Sequence, residues 1–298
     1  METNIGYPLN YPHKLKSILE APEQFSEALR SHLSATDAFR LILYAPSASI
    51  GDGKVPATVL AVTDDGWLVA SENQDGGISV EQCKFNDTLF LELTSIVLWG
   101  QLKIDFASTG TSYSAVIRFS TAEERLYREA IDLVLDGIDR TRASRSEKDR
   151  GAAEMLKEWP LKFRNEVLEY LPKGQRLLAA TQWPAILGGF RRELAPAGAL
   201  MVTERELVLI ADEEAPDWYH GEWAKHGGII TYFPLARLAD FHVGRQDRFG
   251  VLALHVHAGH GGERLEILFP SDHERAISKA MEQMRSLKTR ETDAAIAA

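Results

Sequence analysis

One pattern is written twice in this chain. Residues 117–131 read IRFSTAEERLYREAI, and residues 267–281 read ILFPSDHERAISKAM. Each copy ends an apolar strand, passes a short polar turn and starts an amphipathic helix. The copies lie 150 residues apart, about half of the 298-residue chain. A repeat at that spacing constrains the fold more than any single motif, because it requires one unit built twice.

The rest of the chain follows the same order in both halves. Phe25, Leu33 and Pro46 match Phe163, Leu171 and Pro184 at an offset of 138. Val62-Thr63 matches Val202-Thr203 at 140, Ile78 matches Ile230 at 152, and Phe119 matches Phe269 at 150. The jump from 140 to 152 implies about twelve extra residues in the second half, within DEEAPDWYHGEWAKHGG (212–228).

In the first half, helical spacing predicts a helix over about 14–33, with a break near Pro22. Seven strands are expected between residues 38 and 119. Turns such as Asp64-Asp65-Gly66, Asp75-Gly76-Gly77 and Ser108-Thr109-Gly110 separate several of them. A helix over 122–138 closes the unit, with Thr121 as N-cap and Glu124 completing a capping box. The second half repeats this with a helix at 153–171, a strand series and a closing helix at 272–288. There Ser271 is the expected N-cap, Glu274 completes the box, and a frayed tail follows.

Residues 139–153 are polar and highly charged, and mark the boundary between domains at 1–140 and 153–290. Short strands separated by tight turns argue against βαβ units. The expected fold is mainly β with α. It consists of two partly open antiparallel barrels or sandwiches, each with a preceding helix and a C-terminal capping helix.

The element order resembles tandem pleckstrin-homology-like (PH-like) domains. The second half resembles the GRAM and bacterial pleckstrin-homology-like branch. That resemblance is carried by ALMVTERELVLIAD (199–212), YFPLARLADFHV (232–243), GVLALHVHAG (250–259) and RLEILFP (264–270). The first half fits through VLAVTDDGWLVASE (59–72) and ISVEQCKFNDTLFLEL (78–93), although Glu81-Gln82 stand where the second half has Pro-Leu. The resemblance implies a non-catalytic binding or scaffolding module for a protein, a peptide, a lipid headgroup or a second copy of itself. It also directs attention to the first hairpin of each unit, where such domains hold phosphates. In the second half this is AILGGFRRELAPAG (185–198), with Arg191 and Arg192 as candidate anion- or lipid-binding residues. In the first half Asp52 offsets Lys54.

The charge restricts the partners further. The net charge is −10, and residues 1–140 carry 11 basic against 20 acidic side chains. A chain this acidic repels nucleic acid, and membrane contact is expected to be peripheral at most. No apolar run approaches the roughly 18–20 residues that cross a bilayer. The opening METNIGYPLNYPHKLK lacks a secretory pattern, and the single Cys83 forms no internal disulfide, so a cytoplasmic location is expected. Cys83 is expected to be buried and inert, and a homo-oligomer fits the open sheet edges of such units.

No nucleophile elbow, phosphate-cradling loop or zinc signature is present, so neither an enzyme nor a bound cofactor is expected. Two local features carry the remaining hypotheses. The insertion places Trp218, Tyr219 and Trp223 in a polar segment, where aromatic side chains make partner anchors or pack on their own domain. His255 and His257, two apart on one strand, share a face and form half of a metal site that His242 or His260 would have to complete. Such a pair also sits comfortably on a solvated sheet.

Overall fold

The computed structural model describes residues 11–33, 38–50, 53–96, 99–139, 150–188, 193–213, 227–259 and 261–297. The first unit contains β1 (His13–Lys14), α1 (Glu23–Arg30), β2 (Phe39–Ala45) and a small hairpin of β3 (Ala48–Ile50) and β4 (Gly53–Val55). It continues through β5 (Thr58–Thr63), β6 (Gly66–Glu72), β7 (Ile78–Lys84), β8 (Thr88–Ile96), β9 (Trp99–Ser108), β10 (Thr111–Ser120) and α2 (Glu124–Ile138). The second unit opens with α3 (Arg150–Met155) and α4 (Leu161–Tyr170). It follows with β11 (Ala179–Trp183), the hairpin β12 (Ile186–Leu187) and β13 (Glu193–Ala195), and β14 (Gly198–Val202). Then come β15 (Glu206–Glu213), β16 (Gly227–Pro234), β17 (Leu238–Gln246), β18 (Phe249–Ala258), β19 (Gly261–Pro270) and α5 (Glu274–Ala297).

The fold is mainly β, and every strand pair is antiparallel. A five-stranded sheet has the order β1-β2-β5-β6-β7, and a three-stranded sheet the order β17-β18-β19. Between them runs a seven-stranded sheet, β10-β9-β8-β16-β15-β14-β11, that takes three strands from the first unit and four from the second. The sheets are open, and none closes on itself into a barrel as the sequence suggested. The boundary at 139–153 separates two repeats along the chain, but the shared sheet runs across both.

Strand pairing fixes the repeat more finely than the sequence did. Trp67 lies opposite Cys83 and Leu207 opposite Phe233, so the offset is 140 on one strand and 150 on the next. Ile78 therefore matches Gly228 rather than Ile230, and the insertion is ten residues rather than about twelve. From there the offset stays at 150. Even the irregularity after Thr88 in β8 recurs after Leu238 in β17.

The closing junction has the same construction twice. Phe119 lies across from Gly100, and Phe269 across from Gly250. Each ring covers its glycine so closely that an added Cβ would come within 2.4 Å of Phe119 or 1.9 Å of Phe269. Phe119 also stacks on Tyr127 of α2, with ring centroids 3.7 Å apart.

The expected caps shift. A 3-10 turn, Thr121–Glu123, precedes α2, and it is Ser120 whose side chain accepts from the Ala122 N–H. In the second unit Pro270 stands at the equivalent place and offers no side-chain cap. Pro22 and Pro160 occupy the N-cap positions of α1 and α4, with nearly the same φ and ψ. Proline suits a helix entry because it has no N–H to leave unpaired there. Beyond residue 288, where a frayed tail was expected, the backbone continues helical to Ala297.

Two cores lie on opposite faces of the seven-stranded sheet. On one face Leu91, Leu93, Leu102 and Ile104 pack with Leu60, Val62 and Val69 of the five-stranded sheet and with α2. Met201, Val208, Ile210 and Ile230 extend that face into the second unit, where Phe163 and Val167 of α4 cover it. On the other face Leu89, Phe90, Leu200, Val202 and Leu207 pack with Leu252, Leu254 and Phe269, and with Ile277, Met281 and Met284 of α5. The alternation along β14 and β15 explains their unbroken apolar runs, since both faces are buried.

Candidate functional site

Each unit builds the same turn after its second long strand, β5 in the first and β14 in the second. Thr63 Oγ accepts from the N–H groups of Asp65 and Gly66 and donates to the Gly66 carbonyl. Thr203 Oγ does the same with Arg205 and Glu206. This side-chain-closed turn is a local choice of Thr in both copies. The residue it presents differs, and in the second unit it is Arg205.

Arg205 is the centre of the seam between the units. Its side chain is only 4% exposed and lies 2.8 Å from Asp136 Oδ1. Its guanidinium donates to the carbonyls of Leu135 and Asp139 at the end of α2. A cation at the C-terminus of a helix complements the carbonyls and the dipole that collect there. Glu206 lies beside it, and burial pushes the Glu206 carboxyl up to about 7 against the lowering effects of Arg205 and of the Thr203 hydroxyl. A second arginine repeats the pattern at the next corner. Arg237, at the end of the turn into β17, donates from Nε to the Thr88 carbonyl at 2.9 Å and from Nη2 to the Phe85 carbonyl at 3.0 Å.

Between these arginines the backbones join. Leu91, Glu92, Leu93, Thr94, Ser95 and Ile96 of β8 pair with Tyr232 through Gly227 of β16. Gly227 permits close approach there, since a Cβ would fall 2.2 Å from Ile96 Cγ1. Glu124, expected to close a capping box, instead accepts from Ser95 Oγ at 2.6 Å and from Tyr170 of α4 at 3.1 Å. Farther along, Asp105 is 2% exposed, accepts from Ser114 Oγ at 2.5 Å and lies 3.1 Å from Lys103 Nζ. Burial raises its carboxyl above the ordinary value despite both partners. The hairpin tips also meet, with Ser112 Oγ donating to the Gly262 carbonyl at 3.4 Å.

The seam uses one edge strand from each unit and leaves others open. Among the described residues β7 pairs only with β6, and β17 only with β18. The repeat makes β7 the counterpart of β16 and β17 the counterpart of β8. Val80 on β7 and Phe241 and Val243 on β17 are half-buried, whereas their counterparts in the seam are fully buried.

The residues singled out in the sequence fall as follows. Trp218, Tyr219 and Trp223 lie outside the described residues, as do Arg191, Arg192 and His260. His255 and His257 are exposed on one face of β18, where Asp240 and Arg264 flank His255 on the neighbouring strands. His242 lies on β17 opposite Ala253. Among the described residues no group of three or more His, Cys, Asp or Glu side chains is arranged to hold a metal ion. Cys83 is half-buried, and burial pushes its thiol up to about 12, which makes it a poor nucleophile. The sequence reading missed a surface groove of about 860 Å³ between Tyr11–Lys14 and the start of α2. The exposed Lys14–Glu129 pair at its wall, 2.6 Å apart, adds little stability. No helix among the described residues is long and apolar enough to cross a membrane.

Compared with known proteins, the chain matches no family model, and no curated protein matches it.

Proposed function

We propose that this protein is a non-catalytic binding or scaffold module of two PH-like units, held as one body and engaging a protein or peptide partner. The observation that carries this reading is the use made of the buried charges. The buried Arg205 and the half-buried Arg237 reach across the seam and Glu206 sits in its turn, so these charges hold the units together. What the body offers a partner is main chain at the open sheet edges, β7 and β17 among them. Strand addition at such an edge gives affinity through backbone hydrogen bonds and selectivity through alternate side chains.

Affinity capture with the full chain tests the reading. A charge at either edge, Val80→Lys or Val243→Lys, should remove a protein that the wild-type chain retains and that rebinds in purified form. Equal retention by both variants and by a chain lacking 214–226 would overturn the proposal.

A further inference from the structure

The seam between the units is heterologous. It joins the edge of the first unit's second sheet, β8, to the edge of the second unit's first sheet, β16. The repeat leaves the complementary pair of edges open, β7 on the first unit and β17 on the second, flanking the corner where Arg237 meets the Phe85 carbonyl. These strands belong to sheets that pack on opposite faces of the shared sheet, and they do not pair with each other. A heterologous contact that is not satisfied within a chain propagates between chains, into a ring or a filament.

The geometry points to head-to-tail self-association, with β17 of one chain pairing antiparallel with β7 of a second copy as β8 pairs with β16 inside the chain. This rests on the reading of the protein as a binding module and names its partner. Carrying the seam register across the 150-residue offset sets Phe241 opposite Gln82, His242 opposite Glu81, Val243 opposite Val80 and Gly244 opposite Ser79. Val243 and Val80 take the places of Leu93 and Ile230, an apolar pair that is fully buried in the seam. On the incoming chain α1 already covers the outer face of β5–β7, with Phe25 and Leu29 buried against Ile42, Val59 and Leu68. That is the condition of the face beneath α4 at the seam.

Charge favours the same arrangement. In the seam Arg205 meets the acidic end of α2, which carries Asp136 and Asp139. Between chains the polarity reverses. Asp65 stands in the place of Arg205, and on the facing helix α5 the neutral Ser286 and Thr289 stand in the places of Asp136 and Asp139, with the basic Arg285 and Lys288 beside them, the latter donating to the Leu238 carbonyl. Arg285 already lies over the Phe241 ring, with its guanidinium 4.5 Å from the centroid, at the β17 edge itself. An acidic turn facing a helix end that carries basic rather than acidic side chains favours head-to-tail over like-with-like pairing. Neither a β7–β7 nor a β17–β17 contact has this complementarity.

The test uses the full-length chain and two edge variants, Val80→Lys and Val243→Lys, each with wild-type circular dichroism and unfolding midpoint. Light scattering over a concentration series should show wild-type mass rising above that of one chain. Each variant alone has one blocked edge and should stay at one chain. An equimolar mixture should give a 1:1 dimer of twice the chain mass and nothing larger, because only the intact β17 of Val80→Lys meets the intact β7 of Val243→Lys. A contact between like edges would leave one variant fully associated and is thereby distinguished.

A second measurement avoids disruption. In a Cys83→Ser background, a chain with Glu81→Cys mixed with a chain with His242→Cys should form an intermolecular disulfide on oxidation, and neither should alone. Directly opposed strand residues have the Cα separation that a disulfide needs. Wild-type protein that stays at one chain mass throughout the concentration series overturns the inference. So does association that survives in both lysine variants, or a mixture that gives neither dimer nor cross-link. A monomer that still captured another protein through β7 or β17 would sink self-association and leave the binding-module reading standing.

Discussion

The two units share a backbone and differ in what they present to a neighbour. At the turn closed by Thr63 the first unit presents Asp65, and at the same turn closed by Thr203 the second presents Arg205. At the next corner the first unit has Asp87, and the second has Arg237. The backbone hydrogen bonds that each Thr hydroxyl makes within the turn are the same, so the turn is scaffold. The exchange of acid for arginine turns the second copy into the half that reaches across. Arg205 and Arg237 both donate to main-chain carbonyls of the first unit, and Arg205 also pairs with the Asp136 carboxylate.

Removing that difference should have the largest effect. Arg205→Ala leaves Asp136, Asp139 and two helix-end carbonyls without a buried cation, and is expected to cost about 3–5 kcal/mol. Urea denaturation followed by tryptophan fluorescence and circular dichroism checks it. A shift of the midpoint well below wild type is expected, with the two probes no longer coincident as the units uncouple. Arg237→Ala removes two charge-assisted bonds and is expected to cost about 2–3 kcal/mol in the same assay.

Glu206 sharpens the comparison through pH, because its counterpart in the first unit is Gly66. Its folded value of about 7 lies above its ordinary value of 4.5, so the folded state binds the proton more tightly than the unfolded state. The contribution to stability is therefore greatest below about pH 4.5, falls as pH rises toward 7, and is fully lost above that. Glu206→Gln should be more stable than wild type by about 2–3 kcal/mol at pH 8, with the gap closing by pH 4.5. Melting temperatures at the two pH values test the sign. The smallest expected difference lies in the turns themselves. Thr63→Ala and Thr203→Ala should each cost about 1 kcal/mol, and Thr203→Ala slightly more because its hydroxyl also donates to the Glu206 carboxylate.

The repeat, the strand series and the closing helices were legible because each depends on neighbours in sequence. Alternation along β10 and the helical spacing of Leu126, Ala130, Ile131 and Val134 mark surfaces that one stretch of chain carries by itself. The seam was not legible. β8 and β16 are separated by the rest of both units, and nothing in TLFLELTSI or GGIITYFP names the other. Within TERE nothing singles out Arg205. The signal that could have found it is the comparison of copies, an arginine where the other unit has Asp65. Glu124 was assigned to its own helix terminus because a capping box is a local pattern. In the structure Ser95 and Tyr170, 29 and 46 residues away, hold that carboxylate instead.

The shared sheet also means that covalent and physical boundaries do not coincide. Cleavage of the chain between residues 139 and 150 would yield two polypeptides, yet six consecutive residue pairs, the bridging arginines Arg205 and Arg237 and two continuous cores would still hold them together. The halves should behave as complementing fragments, each unfinished alone and each completing the other's sheet. A nicked molecule would keep its shape, and a gene split at that point could still assemble the whole.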